Sequence, residues 1–299
     1  MNELNSCTIP SIHSVEQFMA GIERLRSRLD TKAWSALVRS DQAIRQWRYF
    51  LTSDPYTRWG LLKPRGYPGD ATLMDFAYCH ASVSDDVAGA SPLGTQIYQH
   101  TSRAAQSESA RQRIALIRAR LRAARPAHPI SVMSFAAGHA REFETLSTAE
   151  CRNIERFTAV DLDAVSLATA QISASGIAFE GVCRNLIRDS FDDLPPADLV
   201  YSLGLFDYLN EARARTVLAK MWRQVAPGGS LIVANLAVDA GNLAYCEAIM
   251  DWWMITRDSA QMQALGAYVA ALEDGKGEHH VALARHGCFF YLEVQRSEK

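Results

Sequence analysis

Asp161 lies 23 residues beyond Gly138, and an acid at roughly that offset (~20 residues) from a glycine-bearing strand-to-helix turn is placed to hydrogen-bond the hydroxyls of a ribose. The glycine sits in ISVMSFAAGHAREFE, residues 130–144. There an apolar run of strand length ends in the small-residue turn 136–138, and a helical pattern at 140–146 opens behind it. Such a turn lets backbone approach a ligand, and a helix N-terminus offers unpaired N–H groups to an anion. The pyrophosphate of a dinucleotide demands several glycines at this point, and AAGHA has one. A nucleoside without phosphate demands fewer. S-adenosylmethionine fits, with its ribose at Asp161 and its carboxylate toward the helix start near Ala140.

In an open α/β sheet the ligand sits outside the carboxyl ends of the strands, so the residues just past each strand are the candidates. They are Ala136, Gly138 and His139 after the first, Asp161 and Leu162 after the second, and Asn185 and Leu186 after the third. The fourth opens into Ser202, Leu203, Gly204, Phe206 and Tyr208. Asp163 is the better helix cap of the two neighbouring acids. A sulfonium is a cation that cannot donate a hydrogen bond, and aromatic faces stabilise it. Tyr67 and Tyr208 are the aromatics expected at such a group. Trp252 and Trp253 project about 100° apart on a helix, so one of them at most, Trp252, faces substrate. Arg257, a turn later, is a candidate partner for a substrate carboxylate. His279 and His280 lie in a charged loop without a matching carboxylate cluster, and no metal site is assigned.

The elements that carry these residues change character along the chain. Residues 1–128 show helical patterns at 14–29, 31–50, 73–80 and 95–124, interrupted by the loop LLKPRGYPGDAT. Pro126 and Pro129 stop the last of them. From residue 130 strands and helices alternate: strands at 130–136, 157–161, 177–183, 197–203 and 230–236, with helices at 140–146, 164–175 and 210–225 between them. Helical patterns at 244–259 and 260–272 then lead to a hairpin, 281–284 and 289–295. The fold expected is α/β: a Rossmann-like, mostly parallel sheet with an antiparallel C-terminal edge hairpin over 129–299, preceded by a helical lid and substrate domain over 1–128.

Bulk properties narrow the partners. With 299 residues, 48% hydrophobic and 21% charged, the chain has an ordinary globular composition. A net charge of −2 argues against nucleic acid as partner, and the one basic run, 111–125, reads as a solvated helix face. No signal peptide or spanning segment is evident, which makes the cytoplasm the expected location without membrane insertion. The six cysteines, at 7, 79, 151, 183, 246 and 288, show no C-x-x-C pairing and read as buried thiols.

The segments SFAAGHAREFE, AVDLDAVSLA, YSLGLFDYL and APGGSLIVANL resemble the ordered motifs of class I S-adenosylmethionine-dependent methyltransferases, over roughly 130–236. With RGYPGD upstream, the chain is similar to a bacterial subgroup that includes 3-hydroxy fatty acid methyl ester synthases, methionine S-methyltransferases and azetidine-2-carboxylate synthases. The resemblance implies that Ala136, Gly138, Asp161, Leu162, Asn185, Leu186, Ser202, Leu203, Gly204 and Phe206 line the cofactor. It also implies that the loop holding Tyr67 and Asp70 closes over it. Ala137 and His139 depart from the family pattern, and His139 is either adapted to this enzyme's substrate or simply follows the turn. The expectation is a methyltransferase for a small molecule of bacterial secondary or signal metabolism. A carboxylate or thioether acceptor needs no general base, which matches the lack of an obvious His–Asp pair. Tyr67, His139 and Tyr208 are its candidate catalytic residues. One alternative is a lyase that cyclises the cofactor to azetidine-2-carboxylate and methylthioadenosine. Another is a non-catalytic nucleotide-binding interaction module.

Overall fold

The computed structural model describes residues 11–124, 127–272 and 279–298. Cys7, Pro126 and the segment 273–278 of the charged loop lie outside them. Helices α1 (Ile12–Arg26), α2 (Thr31–Ser40), α3 (Gln42–Leu51), α4 (Pro55–Leu62), α5 (Ala71–Tyr78), α6 (Ser84–Ala88), α7 (Pro92–Thr101) and α8 (Ala105–Ala123) precede the first strand. After it come α9 (Thr148–Cys151), α10 (Ala164–Ser173), α11 (Glu211–Arg223), α12 (Leu243–Ala248) and α13 (Ser259–Ala270). The chain divides into two compact units, Met1–Glu108 with Gly241–Trp253, and Ser109–Ala240 with Met254–Lys299.

The first unit is built from short helices started by aspartates. Asp30, Asp41, Asp54 and Asp70 cap α2, α3, α4 and α5, each accepting a hydrogen bond from a first-turn N–H. Asp41 explains why the continuous helix expected over 31–50 is two. Its extended backbone (φ −72°, ψ 127°) ends α2 while its carboxylate takes the N–H of Ile44 at 2.9 Å. The run expected over 95–124 also breaks, because the Thr101 carbonyl accepts from the Ala104 N–H at 3.2 Å and from the Ser107 hydroxyl at 2.9 Å. Asp54 is fully buried, with hydrogen bonds from the hydroxyls of Thr57 (2.6 Å) and Thr101 (3.0 Å), and burial pushes its carboxyl up to about 6.

Residues 244–259, expected as one helix, are helical only to Ala248. Asp251 adopts φ +49° and the chain runs irregularly to Asp258, so Trp252 and Trp253 are not neighbours on a helix. Within α12, the buried Glu247 carboxylate accepts from Arg26 Nε at 2.6 Å, Arg26 Nη2 at 2.9 Å and Trp34 Nε1 at 2.7 Å.

The second unit is a seven-stranded sheet in the order β3-β2-β1-β4-β5-β7-β6. Its strands are β1 (Ile130–Phe135), β2 (Ile154–Asp161), β3 (Phe179–Cys183), β4 (Ala197–Ser202), β5 (Val225–Leu236), β6 (His280–His286) and β7 (Phe289–Gln295). The first five pair in parallel, and β7 joins β5 and β6 antiparallel, as the sequence predicts. Period-2 alternation sends side chains to both faces. Met133, Phe135, Val200, Leu231 and Val233 pack with Val217, Leu218 and Met221 of α11 and Met262 and Leu265 of α13. Val132, Phe157, Leu199 and Ile232 pack with Ile117 and Leu121 of α8 and Leu167 and Ala170 of α10. Helices therefore cover both faces, which accounts for the near-continuous apolar strands.

Five cysteines are described, none in a disulfide; Cys151, Cys246 and Cys288 are buried, whereas Cys79 and Cys183 are exposed, correcting the uniform burial expected. No helix among the described residues is long and apolar enough to cross a membrane.

Glu247→Ala leaves the half-buried Arg26 and the buried Trp34 donors without their acceptor. Urea denaturation should show a loss of about 3 kcal/mol. A loss below about 1 kcal/mol, the size of a surface pair, would contradict this reading.

Candidate functional site

In the second unit the chain winds from β1 through β2 to β3 on one side, then crosses to β4 and β5 on the other. The crevice between the carboxyl ends of β1 and β4 is the switch point where such sheets bind ligands. Its first wall is the turn after β1. Ala136 (φ +55°), Gly138 (φ +54°) and Ala140 (φ +50°) alternate in left-handed backbone, a conformation that strains the two alanines. No helix follows. Residues 140–146 form a chain of turns, with Phe143 N–H to Ala140 O at 3.2 Å and Leu146 N–H to Phe143 O at 3.0 Å. The expected helix N-terminus, and with it the expected seat for a carboxylate near Ala140, is absent. Phe143 is the physical reason: its ring lies 4.1 Å from that of Phe157 in the core, which draws the segment onto the sheet.

Asp161, at the end of β2, reaches across to this wall. One carboxylate oxygen accepts from Gly138 N–H at 2.9 Å and the other from Asp163 N–H at 2.9 Å. At 7% exposure, burial raises the carboxyl above its ordinary range, and the bonds from Gly138 and Asp163 oppose that. Each carboxylate oxygen has two acceptor sites, so capacity for a ribose diol remains. Leu162, next in the chain, is 55% exposed and presents an apolar surface beside the acid. Asp163 caps α10, accepting from Val165 N–H at 3.0 Å and the Ser166 hydroxyl at 2.8 Å, as expected. Asn185 is half-buried after β3; its carbonyl oxygen accepts from the N–H groups of Ile187 (3.0 Å) and Arg188 (3.1 Å). Its side-chain NH₂ is left as a donor. Leu186 is buried in the core.

The second wall follows β4. Ser202 is fully buried and its hydroxyl has no hydrogen-bond partner. Leu203, Gly204 and Tyr208 are half-buried, and a side chain at Gly204 would meet only Arg113 Nη1, at 3.9 Å. Phe206, expected to line the cofactor, is fully buried in the core with Leu231 and Val233. Arg257, expected to face a substrate, is buried too. Its guanidinium donates to the carbonyls of Phe206 (2.9 Å) and Leu209 (2.6 Å) and to the Asn235 side chain. Asp207, which sequence reasoning passed over, accepts the Leu236 N–H at 2.7 Å and joins this wall to the end of β5. Burial pushes its carboxyl up to about 6 against the pull of Arg113 and Arg257. The signal was the acid inside an otherwise apolar YSLGLFDYL.

His139 is half-buried, with Nδ1 3.4 Å from the Arg141 guanidinium; Arg141 in turn pairs with Glu144 and Ser173. Tyr67, Asp70 and Trp252 belong to the first unit. Asp70 is buried, capping α5 at Leu73 N–H (2.9 Å) and accepting Trp59 Nε1 at 3.0 and 3.1 Å. Trp252 is buried and Tyr67 half-buried. The basic run of α8 is a solvated face only in part: Arg120 and Arg122 are exposed, but Arg113 is buried, and Arg118 and Arg122 donate to the carbonyls of Arg141, Glu142 and Thr145.

Residues 133–233 match the family described as Methyltransferase domain, a segment holding both walls of the crevice. That segment is similar to methyltransferase domains, and S-adenosylmethionine is the cofactor such a domain takes. Among solved structures, a possible exported protein from Bordetella parapertussis aligns with a TM-score of 0.58 at 19% identity, over 76% of this chain and 79% of that one, and shows the shared fold. An O-methyltransferase family protein from Burkholderia thailandensis aligns at 0.47 and 16% identity, over 76% and 70%. Magnesium protoporphyrin IX methyltransferase from Synechocystis, with bound S-adenosylmethionine, aligns at 0.42 and 14%, over 62% and 79%. Neither of these two is close enough to carry an argument. No curated protein matches the chain.

The raised carboxyls set a pH dependence. A carboxyl at about 6 when folded and near 3.8 when unfolded binds its proton more tightly in the folded state, so stability falls as pH rises between those values. For Asp207 the full change is about 3 kcal/mol. Asp54 acts with the same sign. Asp207→Asn keeps an acceptor for Leu236 N–H and should flatten the fall in urea midpoint from pH 4 to 7; an unaltered slope would refute the assignment.

Proposed function

We propose that the protein is an S-adenosylmethionine-dependent methyltransferase whose acceptor is a small molecule with a carboxylate or thioether nucleophile. The observation that carries this is Asp161, a desolvated carboxylate fixed at the end of β2 beside the exposed Leu162 and across from the one-glycine turn. The carboxylate suits a ribose diol and the leucine an adenine face. The turn, with neither several glycines nor a helix behind it, is poorly furnished for a pyrophosphate. When bound, the cofactor supplies a methyl group already activated by its positive sulfur. The residues contribute placement and exclusion of water, for which proximity supplies several kcal/mol or more. Tyr208 offers a ring to the sulfonium, worth about 0.5–2 kcal/mol. Asn185 contributes its free NH₂ at the β3 end. His139, on the first wall, is the residue through which acceptor identity enters the site.

The test must separate binding from folding. Asp161→Ala removes the acceptor of Gly138 N–H as well as the proposed ribose contact, so it lowers both stability and affinity. Leu162 carries no such structural duty. Calorimetry with S-adenosylmethionine should give binding about tenfold weaker in Leu162→Ser, the loss of one apolar contact, with an unchanged melting midpoint. Equal affinity in the two proteins would sink the adenine assignment. Product analysis supplies the reaction class. S-adenosylhomocysteine that forms only when a carboxylate or thioether acceptor is added supports methyl transfer. Methylthioadenosine from the cofactor alone would replace it with a lyase.

A further inference from the structure

The turns after β1 need partners that a helix would have provided internally. In a helix the carbonyls of residues 141, 142 and 145 would accept N–H groups four residues on; in 140–146 no such ladder exists. α8 takes that role. Arg118 donates from Nη2 to Arg141 O at 3.2 Å and from Nε to Glu142 O at 3.4 Å. Five residues earlier on the same helix, Arg113 donates from Nη1 to Leu203 O at 2.5 Å. Its guanidinium lies 4.5 Å from the centre of the Phe289 ring, and the residue is 4% exposed. The two carbonyl sets belong to opposite walls of the same crevice. α8 is itself anchored by Ile117 and Leu121 in the core beneath the sheet, so both donors stand on one rigid base.

We propose that Arg113 and Arg118 are positioning residues that fix the separation of the two cofactor-binding walls, one guanidinium holding each. The proposal rests on the cofactor reading above for its functional consequence. Arginine suits the task because its planar fork delivers N–H groups in fixed directions and stacks on an aromatic ring, whereas lysine offers a point charge on a flexible stem. The side chain of Glu142 adds to the first hold, accepting the hydroxyl of Tyr201 from β4, so the same turn is tied to the strand beneath the opposite wall.

Two measurements on Arg113→Met, Arg118→Met and their lysine counterparts test this, with Arg120→Met as control; Arg120 is exposed on the same helix and pairs with Glu293 at 2.5 Å. Amide hydrogen exchange is read first, without cofactor. Arg118→Met should accelerate exchange about tenfold across 137–146 and leave 203–209 unchanged, and Arg113→Met should do the reverse. Calorimetry should then show S-adenosylmethionine bound about tenfold more weakly by each methionine variant, partly recovered by lysine and unaffected in the control. Acceleration spread evenly over the unit, or a lowered melting midpoint with affinity within twofold of the parent, would reduce both arginines to structural residues and overturn the proposal. Should a methionine variant not fold, its lysine counterpart carries the same comparison. If the parent protein binds no S-adenosylmethionine, the functional reading fails by itself, and the wall-specific exchange pattern still decides whether each arginine holds its wall.

Discussion

One hydrogen bond governs the geometry of the crevice: the Gly138 N–H to the Asp161 carboxylate, 2.9 Å long, joining the end of β1 to the end of β2. It holds a turn in which three residues out of five adopt left-handed backbone, two of them alanines. Each such alanine costs about 1–2 kcal/mol relative to ordinary backbone. The turn persists because its neighbours over-determine it: Asp161 on one side, Ala137 N–H to Val160 O at 3.2 Å, and the α8 guanidiniums on the carbonyls that follow. The bond acts on the acid as well. A carboxylate held at both oxygens by backbone cannot swing away, so its unused acceptor sites point in fixed directions.

That constraint bears on the ligand proposed for the crevice. A phosphate at this position would want several convergent N–H groups and a helix dipole. One N–H is already committed to Asp161, and the residues behind it form turns. The adjoining surface is apolar at Leu162 and accepts hydrogen bonds at Asp161, a pairing suited to the apolar face and hydroxyl donors of a purine riboside. Asp207, Asn235 and Arg257 make the floor of the other wall a closed set of charges and amides, which explains why none of them faces outward.

Much of this was legible in the sequence because it is local. Strands of the parallel core announce themselves as apolar runs, and period and spacing place the hairpin of 281–284 and 289–295 and the acid at the end of β2. What was illegible depends on partners far away in the chain. The pattern REFETL reads as helix until Phe143 finds Phe157 in the core. The arginines of α8 read as a solvated face because the carbonyls they serve belong to residues some twenty to ninety positions on. Arg257 reads as a partner for a substrate carboxylate, and only the irregular path from 251 to 258 turns it inward. The break at Asp41 depends on a single side-chain bond, and that at Thr101 on one side-chain and one backbone bond to its carbonyl. Phe206 sat in a motif associated with cofactor, yet its ring belongs to the layer beneath.

Equilibrium binding of S-adenosylhomocysteine against NAD decides whether the crevice takes an adenosine without a pyrophosphate. S-adenosylhomocysteine shares the ribose and adenine contacts and lacks the charge on sulfur, so it isolates the nucleoside site from the chemistry. It should bind in the micromolar range or tighter, and NAD at a hundredfold excess should not displace it. Displacement by NAD, or no binding of S-adenosylhomocysteine to the folded protein, would rule out a nucleoside site of this kind.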